Sequence, residues 1–247
     1  MKKFLKFTAM AAVLVASATF ASADTIQIGS FGTGDSAMGN NNTSLAYNGF
    51  IAQANPPYPA NPSSFLSTNP AASTFNISNG GGIWNGPVAN SSWVSFDPQS
   101  FPGGADQNAN GYYTYTTTFG AATSGPYTGT FNIYADDTVA VYLNGNFTTP
   151  LILAGAIGGD AHCADNTPNC LTLDTVNLAV NLIAGVNTNT LTFIVEQTGL
   201  HAQGLDFQGS LSSPTPTPEP STLLLLGTGL IGSAGALLRR SRAKAAR

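Results

Sequence analysis

Between residues 7 and 238 the sequence contains neither lysine nor arginine. No Lys or Arg salt bridge can therefore form within that span, and its carboxylates must be solvated, hydrogen-bonded or bound to cations. The chain has 12 acidic residues, and all but Glu219 fall between Asp24 and Asp206. That body carries a formal charge near −11 and repels phosphate backbones, which argues against nucleic acid as a partner. Cysteine is nearly absent too, at two residues. No long helical period appears in the body. The chain also has no G-x-S-x-G elbow, no phosphate-binding or dinucleotide glycine spacing, no D-x-[DN]-x-[DN]-G calcium loop and no LPxTG sequence. The familiar signatures of hydrolases, nucleotide-binding enzymes and EF-hands are thus missing, and no catalytic residue is assigned.

What is present sits first at the two ends. Lys2, Lys3 and Lys6 precede an apolar stretch from Phe7 to about Phe20, and Ala21-Ser22-Ala23 follows. A positive start, a short apolar run and a small-residue site make a secretory signal peptide over residues 1–23, with Asp24 as the expected mature N-terminus. The other end has three parts. Residues 214–220 place proline at every second position and form a stiff, extended linker. Residues 221–238 are uncharged. As a helix they would measure roughly 27 Å, enough to cross a thin hydrocarbon core. Residues 239–247 carry five basic side chains, which stay cytoplasmic by the positive-inside rule. The body would then lie outside the inner membrane.

Pro218-Glu219-Pro220, then an apolar Ser-Thr-Leu-Gly segment, then an arginine-rich end, resembles a PEP-CTERM sorting signal. The resemblance implies recognition by an exosortase-type membrane protease, cleavage near Pro218-Glu219-Pro220, and delivery to the cell envelope, outer surface or extracellular matrix. It also implies association with exopolysaccharide or biofilm.

Residues 24–213 are long enough for one domain with a sizeable core. Gly111–Phe119 alternates, with Tyr113, Tyr115 and Phe119 on one face. Tyr127–Tyr134 and Thr138–Leu143 alternate likewise, and Asn144-Gly145 signals a tight turn. Leu171–Ile183, Leu191–Val195 and Gly204–Leu211 complete the series. The pattern predicts an all-β fold, an antiparallel β-sandwich. Residues 31–90 read as long loops with a few strands, placing the core at about 93–211. Phe131–Gly145, with its Ala-Asp-Asp and Asn-Gly, and Gly185–Val195 resemble a galactose-binding-like jelly roll. That likeness concerns fold and implies no sugar specificity.

Three groups could carry chemistry. Cys163 and Cys170 flank a turn-rich loop, and export favours a disulfide between them. A zinc site would need two further ligands, and only His162 is near. Asp136 and Asp137 are neighbours at a strand end, where alternation should send them to opposite faces. A solvated turn and a structural calcium at one of them both stay open, and no other cofactor is expected. Trp84, Trp93, Tyr112 and Tyr115 could stack on a sugar, although sandwich aromatics are usually core. The sequence thus supports an exported structural or matrix protein, with a carbohydrate-binding module for envelope glycans or exopolysaccharide as the alternative.

Overall fold

The computed structural model describes residues 23–31, 37–52, 72–105, 108–158, 163–214 and 220–245. Two compact units result, one of them Asp24–Pro214 and the other the terminal segments.

The first unit is an antiparallel, jelly-roll-like sandwich of ten strands. These are β1 (Thr25–Gly29), β2 (Asn41–Ala52), β3 (Ala72–Asn76), β4 (Val94–Ser95), β5 (Gly111–Ala121), β6 (Gly125–Asp136), β7 (Thr138–Leu143), β8 (Asp174–Leu182), β9 (Gly185–Gln197) and β10 (Gly204–Ser212). The hydrogen-bonded order is β7-β9-β5-β2-β3-β4-β10-β6-β8, with β1 also on β10. The two-residue strand β4 joins the halves, so one sheet curls over on itself.

Alternation explains the core. On β6, Phe131 and Ile133 point inward, while Thr128 and Thr130 face solvent. Phe193 of β9 meets Phe207 of β10 with ring centroids 4.5 Å apart, and Phe207 stacks on Phe131 at 5.7 Å. Those rings tie the two halves together. Burial of such apolar area is the main force for the fold, at roughly 25 cal/mol per Å2.

The strands expected from alternation are all found. The described part of residues 31–90 holds two strands, β2 and β3, among turns and loops. β2 pairs with β5 on one side and β3 on the other. The polar start of β2 hides it, because Asn41-Asn42-Thr43-Ser44 has low strand propensity. Its buried Asn42 is held by donating to Asn76 Oδ1 at 2.6 Å and to the Ser30 carbonyl. The first strand of the sandwich, β1, begins at Thr25. There Asp24 closes the domain. Its amide donates to Ser213 Oγ at 2.8 Å, and its carboxylate accepts from Ala122 N at 2.8 Å and Tyr127 Oη at 2.7 Å.

In the second unit, α1 (Pro220–Ala245) is a helix of 26 residues. Proline suits a first helical position, where its missing N–H costs nothing. α1 covers the stretch expected to cross a membrane. Among the described residues, which leave out the side chains of 220–226, no helix is long and apolar enough to do so. The residues expected to form a signal peptide, through Ser22 and including Ala21, lie outside the described residues, as do Pro218 and Glu219.

Candidate functional site

The chain leaves β6 at Asp136 and enters β7 at Thr138, so the alternation expected of a continuous strand is broken between them. Both carboxyls are buried, Asp136 at 2 % exposure and Asp137 at 0 %. The solvated turn is thus replaced by an interior pair. The indole Nε1 of Trp84 donates to Asp136 Oδ2 at 2.6 Å. The amide and hydroxyl of Thr198 donate to Asp137 Oδ2 at 2.6 and 2.7 Å. The Asp137 carboxyl adjoins that of Asp136, and a proton on one of the two relieves the repulsion between them. Burial first, and the Asp137 carboxyl second, hold Asp136 well above the usual carboxylate range.

Glu196 of β9 lies beside this pair, and its carbonyl accepts from Asp137 N at 2.8 Å. Burial and the Asp137 charge push its carboxyl up to about 7, against a lowering hydrogen bond from Tyr112. The Tyr112 hydroxyl is itself raised, chiefly by burial. A fourth interior carboxylate, Asp206, accepts from Val88 N at 2.7 Å and Ser30 Oγ at 3.0 Å. Burial lifts it to about 6 despite those donors.

Cys163 and Cys170 are joined in a disulfide, with Cα atoms 5.5 Å apart, within the ordinary range for such bonds. Cys170 packs in a cluster with Trp84, Trp93 and Tyr134. The Trp84 and Trp93 rings stand 4.4 Å apart. Trp84, Trp93, Tyr112 and Tyr115 are each at most 1 % exposed, so they are core and not a stacking platform. Among the described residues, one set of three potential ligand side chains lies within 4.8 Å: Asp136, Cys163 and Cys170. Two of its members are consumed by the disulfide. Calcium asks for six to eight oxygens, and the donors around Asp136 and Asp137 are mostly N–H and O–H groups. His201 lies in the loop before β10, where its carbonyl accepts from Asn108 N at 3.0 Å. His162 lies outside the described residues.

A second feature escaped the sequence. A cleft of about 500 Å3 opens between β1, β2 and β5. Thr43, Ser44, Thr116, Thr118 and Asn187 line it, with Phe31 and Phe119. None of its lining residues is charged. These residues are scattered from 31 to 187, and only the topology brings them together.

Fold and C-terminus together define an exported β-sandwich protein with a C-terminal sorting signal. Residues 216–241 match the PEP-CTERM protein-sorting motif. The sandwich is similar to solved carbohydrate-binding modules. One is a family 35 module from Clostridium thermocellum, at 15% identity over 56% of this chain and 86% of that one, with TM-score 0.30. Another is a family 35 module from Paenibacillus barcinonensis, at 12% identity over 76% and 98%, with TM-score 0.32. A third is the C-terminal family 6 module of a marine laminarinase from Zobellia galactanivorans, at 12% identity over 77% and 99%, with TM-score 0.29. Likeness at this level carries no ligand across. No curated protein matches the sequence.

Proposed function

We propose that this is a non-catalytic cell-surface or matrix protein, delivered in three steps. The signal peptide of residues 1–23 directs export and is removed before Asp24. The segment 221–238 then holds the chain in the inner membrane, with residues 239–247 on the cytoplasmic side. An exosortase-type protease finally cuts near Pro218-Glu219-Pro220 and passes the body to the envelope or extracellular matrix. The observation that carries this reading is the sorting motif at residues 216–241, placed directly after the compact unit Asp24–Pro214. Its linker, apolar segment and basic end follow in the order such processing requires.

The experiment is a fractionation of cells carrying Glu219→Ala. The substituted protein should accumulate in the membrane, while the parent is released. Equal release of both would favour a plain anchor that needs no tripeptide.

A second reading concerns the body. The uncharged cleft, lined by hydroxyl and amide groups with Phe31 and Phe119, supports binding of a glycan of the envelope or exopolysaccharide. The interior carboxyls do not compete with this reading. Asp136 and Asp137 are sealed from solvent and held by Trp84 and Thr198, so they are placed to shape the fold and not to meet a substrate. A glycan array of the full chain tests it, with binding to at least one class of glycan expected and a blank array against it.

A further inference from the structure

The register of β1, β10, β6 and β8 lines up their outward side chains into ranks across the sheet. In the middle rank Gln27 is opposite Ser210, Ser210 is opposite Thr130, and Thr130 is opposite Asn177. The rank on one side of it runs Thr25, Ser212, Thr128 and Ala179. On the other side it runs Gly29, Gln208, Asn132 and Thr175. The alternate residues of the same strands, such as Ile26, Leu211, Phe131 and Leu178, face the core. These ranks therefore belong to the outer face.

Each rank member is hydroxyl, amide, glycine or alanine, and none is charged or large and apolar. The side chains also hold one another in place. Gln27 Nε2 donates to Ser210 Oγ at 2.8 Å, and Gln208 Nε2 donates to Gln27 Oε1 at 3.2 Å. Asn132 Nδ2 donates to Gln208 Oε1 at 3.3 Å, and Thr175 Oγ1 donates to Asn132 Oδ1 at 2.8 Å. This chain of bonds crosses all four strands, so the donors and acceptors are fixed before anything binds. Such ordering lowers the entropy cost of association. The pitch is regular, at about 4.8 Å between strands and roughly 7 Å between ranks.

We infer that this face is a hydrogen-bonding platform for an extended, neutral polysaccharide. The chemistry selects that occupant. A second copy of the chain would need apolar area to bury, and the face offers almost none. Acidic polysaccharides and anionic lipids meet a body with no Lys or Arg and are repelled. A neutral glycan presents alternating O–H donors and oxygen acceptors, the same groups this face displays. Contact along a flat array also suits many weak bonds to a long polymer better than one tight bond to a small sugar.

The inference rests on the glycan reading of the body and names a surface that meets the cleft at Gln27 and Gly29 and extends away from it over β10, β6 and β8. The test is affinity electrophoresis of the full chain in a polyoxyethylene detergent, which contains no sugar. Gels would carry mixed-linkage β-glucan, galactomannan, dextran or alginate. Three proteins would be compared: the parent, a Thr128→Ala/Thr130→Ala/Asn177→Ala variant of the platform away from the cleft, and Thr118→Lys in the cleft. All substituted positions are solvent-exposed, so melting curves should overlay. The platform predicts retardation by at least one neutral polymer and none by alginate. It also predicts retention at least fivefold weaker in the triple variant and unchanged for Thr118→Lys. Loss confined to Thr118→Lys would overturn the platform while keeping the glycan reading. Retardation by no neutral polymer would overturn both, and equal retardation by alginate would overturn the selectivity.

Discussion

Trp84 and Asp136, 52 residues apart in sequence, meet in the core through a 2.6 Å hydrogen bond from the indole to the carboxyl. That contact joins the loop after β3 to the end of β6, where Asp137, Glu196 and the disulfide also gather. Removing the donor and keeping the ring is the direct test. Trp84→Phe should cost about 1–3 kcal/mol, the usual penalty for stranding a buried acceptor. Asp136→Asn should behave oppositely, because the amide can still accept from Trp84 and no longer needs a shared proton. At pH 8 it should melt at or above the parent. A large loss of stability in Asp136→Asn would mean that the negative charge itself is required.

Stability should fall as pH rises. Burial raises the Asp136 carboxyl, lifts Glu196 to about 7 and lifts Asp206 to about 6. A group whose folded value lies above its unfolded value binds its proton more tightly in the folded state. Its stabilising effect is complete below the ordinary carboxylate range, and is lost as pH climbs through the folded value. The window is therefore roughly pH 4 to 7. Thermal melts at pH 5 and pH 8 check this, with the higher Tm expected at pH 5.

Salt should act through the same charges. The body has no Lys or Arg to neutralise its carboxylates, so self-repulsion weakens the compact state. With Asp136 Oδ2 and Asp137 Oδ2 engaged by Trp84 and Thr198 and both carboxyls shut off from solvent, we expect calcium, magnesium and sodium to raise Tm equally at matched ionic strength. A shift specific to calcium would instead assign an ion to this pair.

The sequence carried the sandwich legibly wherever strands are half-buried. Phe131 and Ile133 on β6 alternate with Thr128, Thr130 and Asn132 on the outer side, and that period is visible without coordinates. β2 was illegible because its inward Asn42 is polar, and its amide nitrogen is satisfied by Ser30 and Asn76, which the fold brings to it. The carboxyl pair failed for a related reason. Alternation applies within a strand, and Asp136 and Asp137 fall where one strand ends and the next begins. The cleft and the polar ranks depend on register between strands far apart in the chain, for which local pattern holds no signal.

The Cys163–Cys170 bond staples a loop against Trp84 and Tyr134, with a sequence separation of 7. Closing so short a loop gives about 2–3 kcal/mol in the chain-entropy description. A Cys163→Ser/Cys170→Ser variant should lose that much stability in denaturant titrations and keep its β-sheet circular dichroism. Peptide mapping of the non-reduced protein should recover the crosslinked pair, and free thiols there would contradict the assignment.

The account rests most heavily on processing at both ends. Asp24 is bonded to Ser213, Ala122 and Tyr127, so the sandwich begins where the signal peptide is expected to leave. The sorting motif begins at residue 216, just beyond the other edge. The decisive measurement is the intact mass of the protein recovered from the envelope of an exosortase-bearing host. Our account predicts a species that starts at Asp24 and ends near Pro218-Glu219-Pro220, without Arg239 to Arg247. A mass that still includes the basic tail would contradict it.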